Sequence, residues 1–75
     1  MKRYRNLSGH SGVTAYQCGD GFIRVRFVNG DTYEYTDQVP GPEHVRNLCF
    51  CAEAGEGLAT YISRFVRDAY ARKLD

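Results

Sequence analysis

The chain has 75 residues, of which 43% are hydrophobic and 25% charged, with a formal net charge of +1. That composition belongs to one small globular domain rather than a disordered chain, and the near-neutral charge argues against strong, indiscriminate nucleic-acid binding. Apolar runs of only a few residues exclude a membrane-spanning helix, which needs ~20. Three cysteines, Cys18, Cys49 and Cys51, without a signal-peptide pattern, point to a reducing, cytoplasmic setting.

Residues 1–10 hold Lys2, Arg3 and Arg5 and then turn polar and glycine-containing, which reads as a mobile basic segment with little to bury. The remainder, residues 11–75, reads as a single domain. Val13 to Gln17 opens with β-branched residues and is followed by Gly19-Asp20-Gly21, a short first strand and a turn. Phe22 to Val28 alternates, with Ile23, Val25 and Phe27 on one side and Arg24 and Arg26 on the other, as the two-residue period of a strand requires.

The next strand, Thr32 to Thr36, alternates Tyr33 and Tyr35 against Thr32, Glu34 and Thr36. A two-residue Asn29-Gly30 loop would set both tyrosines beside Arg24 and Arg26 and mix apolar with polar on both faces. A three-residue loop, Val28-Asn29-Gly30, with Gly30 left-handed in a bulge, instead pairs Val25 with Tyr33, Ile23 with Tyr35 and Arg24 with Glu34. This register is the expected one, because a one-residue slip exchanges the faces of a strand and burial penalises the wrong choice.

Pro40, Pro42 and Glu43 suit the first turn of a helix, where a missing amide hydrogen costs nothing and a carboxylate meets the positive end of the dipole. Val45, Leu48, Cys49 and Ala52 then keep helical spacing until Gly55 and Gly57. Leu58, Tyr61, Ile62, Phe65, Val66, Ala69 and Tyr70 recur at steps of three and four, which predicts a second helix over three turns. Its other side carries Arg64 and Arg67 facing water together. The fold class expected is α+β: a three-stranded antiparallel β-meander followed by two α-helices packed on one sheet face.

No catalytic constellation is present, and the chain reads as a non-enzyme. Tyr33 and Tyr35 flanked by arginines could stack on bases, but the expected register turns both rings toward the helices, where they are core. Arg64, Arg67, Arg24 and Arg26 are the candidates for phosphate contact, since guanidinium groups form paired hydrogen bonds to phosphate. Glu34 opposite Arg24 neutralises part of the sheet patch, so the helix-two pair is the better candidate. Lys2, Arg3 and Arg5 could add a flexible basic arm.

Cys49-Phe50-Cys51 with His44 does not make a metal site. Residues two apart on a helix project about 200° from each other, and no second cysteine pair completes four ligands. Cys51 and His44 lie two helical turns apart, about 10.5 Å of rise, too far for a nucleophile pair. Neither Gly19-Asp20-Gly21 nor Gly55-Glu56-Gly57 has the lysine and hydroxyl residues of a phosphate loop. No cofactor is expected.

The order of these features resembles the KTSC domain, a short domain named from the C-terminus of some lysyl-tRNA synthetases and also found as a single-domain bacterial protein. The likeness spans about Ser11 to Tyr70. Tyr16 is similar to the family's first-strand tyrosine, Tyr33 and Tyr35 to its central Tyr-x-Tyr motif, Val39-Pro40 to its helix entry, and Val66, Arg67 and Tyr70 to its closing pattern. Ser63 stands where the family tends to have asparagine, and Ala54-Gly55-Glu56-Gly57 rewrites its small-residue turn. RNA binding has been suggested for that family, so the resemblance implies a small RNA or single-stranded nucleic-acid-binding module in which Tyr33, Tyr35, Val39, Pro40 and Tyr70 are structural. The alternative is a protein-interaction or self-association module using Phe22, Val28 or Phe50, which the face assignments leave without a core position.

Overall fold

The computed structural model describes residues 1–74. Its strands are β1 Lys2–Arg3, β2 Val13–Gly19, β3 Phe22–Phe27, β4 Thr32–Thr36 and β5 Arg72–Lys73. Helix α1 is Pro42–Ala54, and α2, Leu58–Tyr61, runs on into a π-helical turn, Ile62–Val66. The class is α+β, as expected. The sheet has five antiparallel strands in chain order rather than three, because both ends of the chain add a two-residue edge strand to the meander.

The hairpin has the register its chemistry demands: Ile23 opposes Tyr35, Arg24 opposes Glu34 and Val25 opposes Tyr33. Phe27 N–H donates to Asp31 O at 2.9 Å around the loop Val28-Asn29-Gly30, and Gly30 takes φ 95, which a side chain would resist. On the other side of β3, Val13 pairs with Phe27 and Ala15 with Arg26, leaving Thr14 as the extra residue of a bulge.

One apolar cluster joins Tyr16, Ile23, Val25 and Tyr35 of the sheet to Val45, Leu48, Ala52, Leu58, Ile62 and Val66 of the helical segments. Helix α1 follows from its punctuation: proline in the first turn, Glu43 beside it, and Gly55 closing the helix at φ 80 with its N–H on the carbonyls of Cys51 and Ala52. Glycine is required there twice over, since a Cβ would also meet Arg5 Cβ at 2.8 Å.

Two expectations are corrected by packing. Residues 1–10 were expected to have little to bury, yet Tyr4 is only 4% exposed and belongs to the core. Its hydroxyl accepts from Leu58 N–H at 3.3 Å, satisfying one of the donors that the first turn of a helix leaves open. Lys2 and Arg3 pair with Tyr16 and Ala15, Leu7 N–H donates to Gly55 O at 2.7 Å, and the Arg5 guanidinium donates to the Glu53 carbonyl.

The second correction concerns helix two, whose spacing predicts a continuous run to Tyr70. The helix instead opens into the π turn, with Arg67 N–H reaching back to Ile62 O at 2.6 Å, and helical structure ends at Val66. A π turn takes more residues per revolution than an α turn, so the residue four beyond Ile62 comes back over the core and the one before it swings out. Val66 is therefore buried and Phe65 exposed. Tyr70, beyond the helix, turns its ring onto Tyr33 at 4.7 Å between centroids.

Candidate nucleic-acid interface on the outer face of the sheet

Residues directly opposite one another in an antiparallel sheet share a face, and the register builds two rows on the side away from the helices. One row is Gln17, Arg24, Glu34 and Arg72. The other is Arg3, Ala15, Arg26 and Thr32. Four arginines from three strands thus share a surface with one carboxylate.

That carboxylate is the pivot of the face. Glu34 Oε2 accepts from Arg24 Nε at 2.9 Å and Oε1 accepts from Arg72 Nε at 2.8 Å, with Glu34 only 7% exposed beneath them. Hydrogen bonds from Arg72 and Arg24 hold its pKa below the ordinary 4.5, outweighing the opposing effect of burial. Arg24 also reaches Gln17 Oε1 at 3.4 Å and lies over the Phe22 ring at 4.9 Å, so it is half-buried. Arg26 is exposed and donates from Nε to Thr32 Oγ1 at 3.2 Å. Both guanidiniums are oriented through Nε, and Arg24 turns one outer N–H to Gln17.

A shallow groove of about 300 Å³ crosses this face, lined by Met1, Gln17, Arg24, Arg26, Thr32 and Leu74. Oriented, permanently charged donors beside such a groove can hold a chain of phosphates. The aromatic ring on this face, Phe22, already lies under Arg24.

The network makes a pH-dependent contribution. Because the folded pKa of Glu34 is depressed below its unfolded value, the stabilisation is complete above about pH 4.5 and is lost as pH falls through the folded pKa. Glu34→Gln is expected to cost about 1 kcal/mol near pH 7, a modest value because Arg72 is largely in water. Urea unfolding of both proteins near pH 7 and near pH 3 checks this: the gap should narrow in acid, and a gap independent of pH would contradict it.

Of the other residues singled out by sequence, Arg64 lies on the π turn and Arg67 in the turn after it at φ 9, so they do not share a helical face. Both are exposed, and neither guanidinium has a hydrogen-bond or ion-pair partner among the described residues. Tyr35 is buried, and Tyr33 is half-buried between Phe27 and Tyr70, both on the helix side as the register requires. Val39 is exposed, and Pro40 bridges to Thr36 ahead of α1. Cys49 packs partly buried against the core, and burial raises the thiols of Cys18, Cys49 and Cys51. His44 Nδ1 meets the Tyr61 hydroxyl at 2.7 Å. Sequence reasoning treated Arg3 as part of a loose arm and passed over Arg72. A two-residue strand has no periodicity to read, so neither could be assigned a face.

No family model, curated protein or solved structure matches the chain. No helix among the described residues is long and apolar enough to cross a membrane.

Proposed function

We propose that this chain is a small non-enzymatic module that binds nucleic acid, RNA foremost, along the sugar–phosphate backbone through the outer face of its sheet. The observation that carries the reading is the pair of cross-strand rows setting Arg3, Arg24, Arg26 and Arg72 on one uncovered face against a single carboxylate that is already engaged. The resemblance to the KTSC domain supports the same reading.

Arg24→Gln with Arg26→Gln is the test. If both contact phosphate, RNA affinity falls and the plot of log affinity against log salt becomes shallower by about 1.5 to 2 units. The thermal midpoint monitors the lost Arg24–Glu34 pair. Absence of any salt-sensitive association of the unaltered protein with short RNAs at low salt would sink the proposal.

A protein-interaction reading is the rival, and Phe50 favours it: this α1 side chain is 75% exposed, and Val28, in the hairpin loop, is 71% exposed. Phe22, half-buried under Arg24, does not add to it. Apolar association is far less sensitive to salt than phosphate contact. Concentration-dependent sedimentation that Phe50→Ser removes would select this reading.

A further inference from the structure

We propose that the exposed Phe65 ring, supported by Tyr61, is a stacking platform for an unpaired nucleobase, so that the ligand of this chain is single-stranded nucleic acid. The inference rests on the nucleic-acid reading above and adds a second contact on the helical layer of the domain.

Phe65 is 61% exposed, the direct result of the π turn that buries Val66 in its place, and single π turns inside helices recur at functional sites. Its ring is not loose. It lies against the Tyr61 ring at 4.8 Å between centroids and 43° between planes. Tyr61 is itself pinned to α1: its hydroxyl meets His44 Nδ1 at 2.7 Å and accepts from Asn47 Nδ2 at 3.1 Å, with the His44 ring 5.9 Å away in an edge-on arrangement. One side of the Phe65 ring is thus backed by a fixed neighbour while most of its surface is open to a planar partner.

The surroundings fit a nucleotide better than an apolar protein side chain. Arg64 and Arg67 flank Phe65 in the chain, exposed and with guanidiniums unpaired among the described residues, against the single carboxylate of Asp68. Asn47 spends one amide hydrogen on Tyr61 and keeps its other donor and its acceptor for a base edge. A π-face beside guanidinium charge is the combination by which single-stranded nucleic acid is held without sequence preference.

Geometry excludes a duplex spanning both contacts. The sheet arginines face away from the helical layer that carries Phe65, in a body measuring 31 × 24 × 22 Å. A double helix with a persistence length of ~50 nm cannot wrap around that body, whereas a flexible single strand can.

The test compares oligothymidylate with an abasic deoxyribose-phosphate oligomer of equal length, which has the same charge and nothing to stack. The unaltered protein should bind the base-bearing strand about five- to a hundredfold more tightly. Phe65→Ala and Phe65→Leu should abolish that preference while leaving abasic binding and the thermal midpoint unchanged. Phe65→Trp should keep it and, in a chain with no other tryptophan, report the stacked base by fluorescence quenching. Arg24→Gln with Arg26→Gln should weaken both oligomers alike. Salt-sensitive binding with equal affinity for the two oligomers overturns the platform and leaves the sheet reading intact; no association with either overturns both. A preference that survives in Phe65→Leu, or self-association that Phe65→Ala removes without any base preference, shows an apolar contact instead and overturns the platform.

Discussion

Tyr35→Ala should remove cooperative unfolding altogether. Tyr35 is 1% exposed and the largest of the fully buried side chains, opposite Ile23 in the sheet and edge-on to Tyr70 at 6.5 Å. Truncating a buried aromatic costs about 3–5 kcal/mol, and a domain below about 80 residues rarely draws more than that from its whole core. Far-ultraviolet circular dichroism during a urea titration should therefore show a sloping, non-cooperative profile for the variant. A cooperative transition at an unchanged midpoint would show that the ring is not central. Tyr35→Phe keeps the ring and should keep most of the stability.

The same substitution probes an alkaline effect. Burial, with smaller contributions from Tyr33 and Tyr70, pushes the Tyr35 pKa from 10.0 up to about 12. A raised folded value favours the folded state below the unfolded pKa, and that advantage disappears as pH climbs through the folded one. Stability should thus decline between about pH 10 and about pH 12, and Tyr35→Phe should flatten that part of the profile.

The second large effect is expected at Tyr4, in the segment that composition alone marks as loose. Tyr4→Ala, or deletion of residues 1–5, removes a ring that is 4% exposed and belongs to the core, at a cost of about 3 kcal/mol or more. Deletion also takes away β1 and the Arg5 contact at the end of α1. Tyr4→Phe isolates the hydroxyl, whose loss strands the Leu58 N–H and should cost about 1–2 kcal/mol. Denaturant midpoints of the three variants decide the matter. Midpoints equal to that of the unaltered chain would mean that the segment contributes nothing and that the original expectation of a mobile arm was right.

Residue order by itself determined the parts of this protein in which every neighbouring position votes the same way. In the β3–β4 hairpin only one register keeps Ile23, Val25, Tyr33 and Tyr35 together, so the pairing was legible, and with it the outward direction of Arg24 and Arg26. Helix α1 was legible because Pro42 and Gly55 leave it little choice of where to begin and end. Tertiary structure decided the rest. Two residues carry no period, so β1 and β5 exist only because β2 and β4 offer them an unpaired edge, and Arg3 and Arg72 join the outer face only through that pairing. Phe65 and Val66 are both apolar and equally at home on an α-helical stripe. The choice between them falls to the π turn, and buries the residue that returns over Ile62 and leaves the aromatic ring in water, because helical spacing is blind to a change in residues per turn that only packing against the sheet can impose.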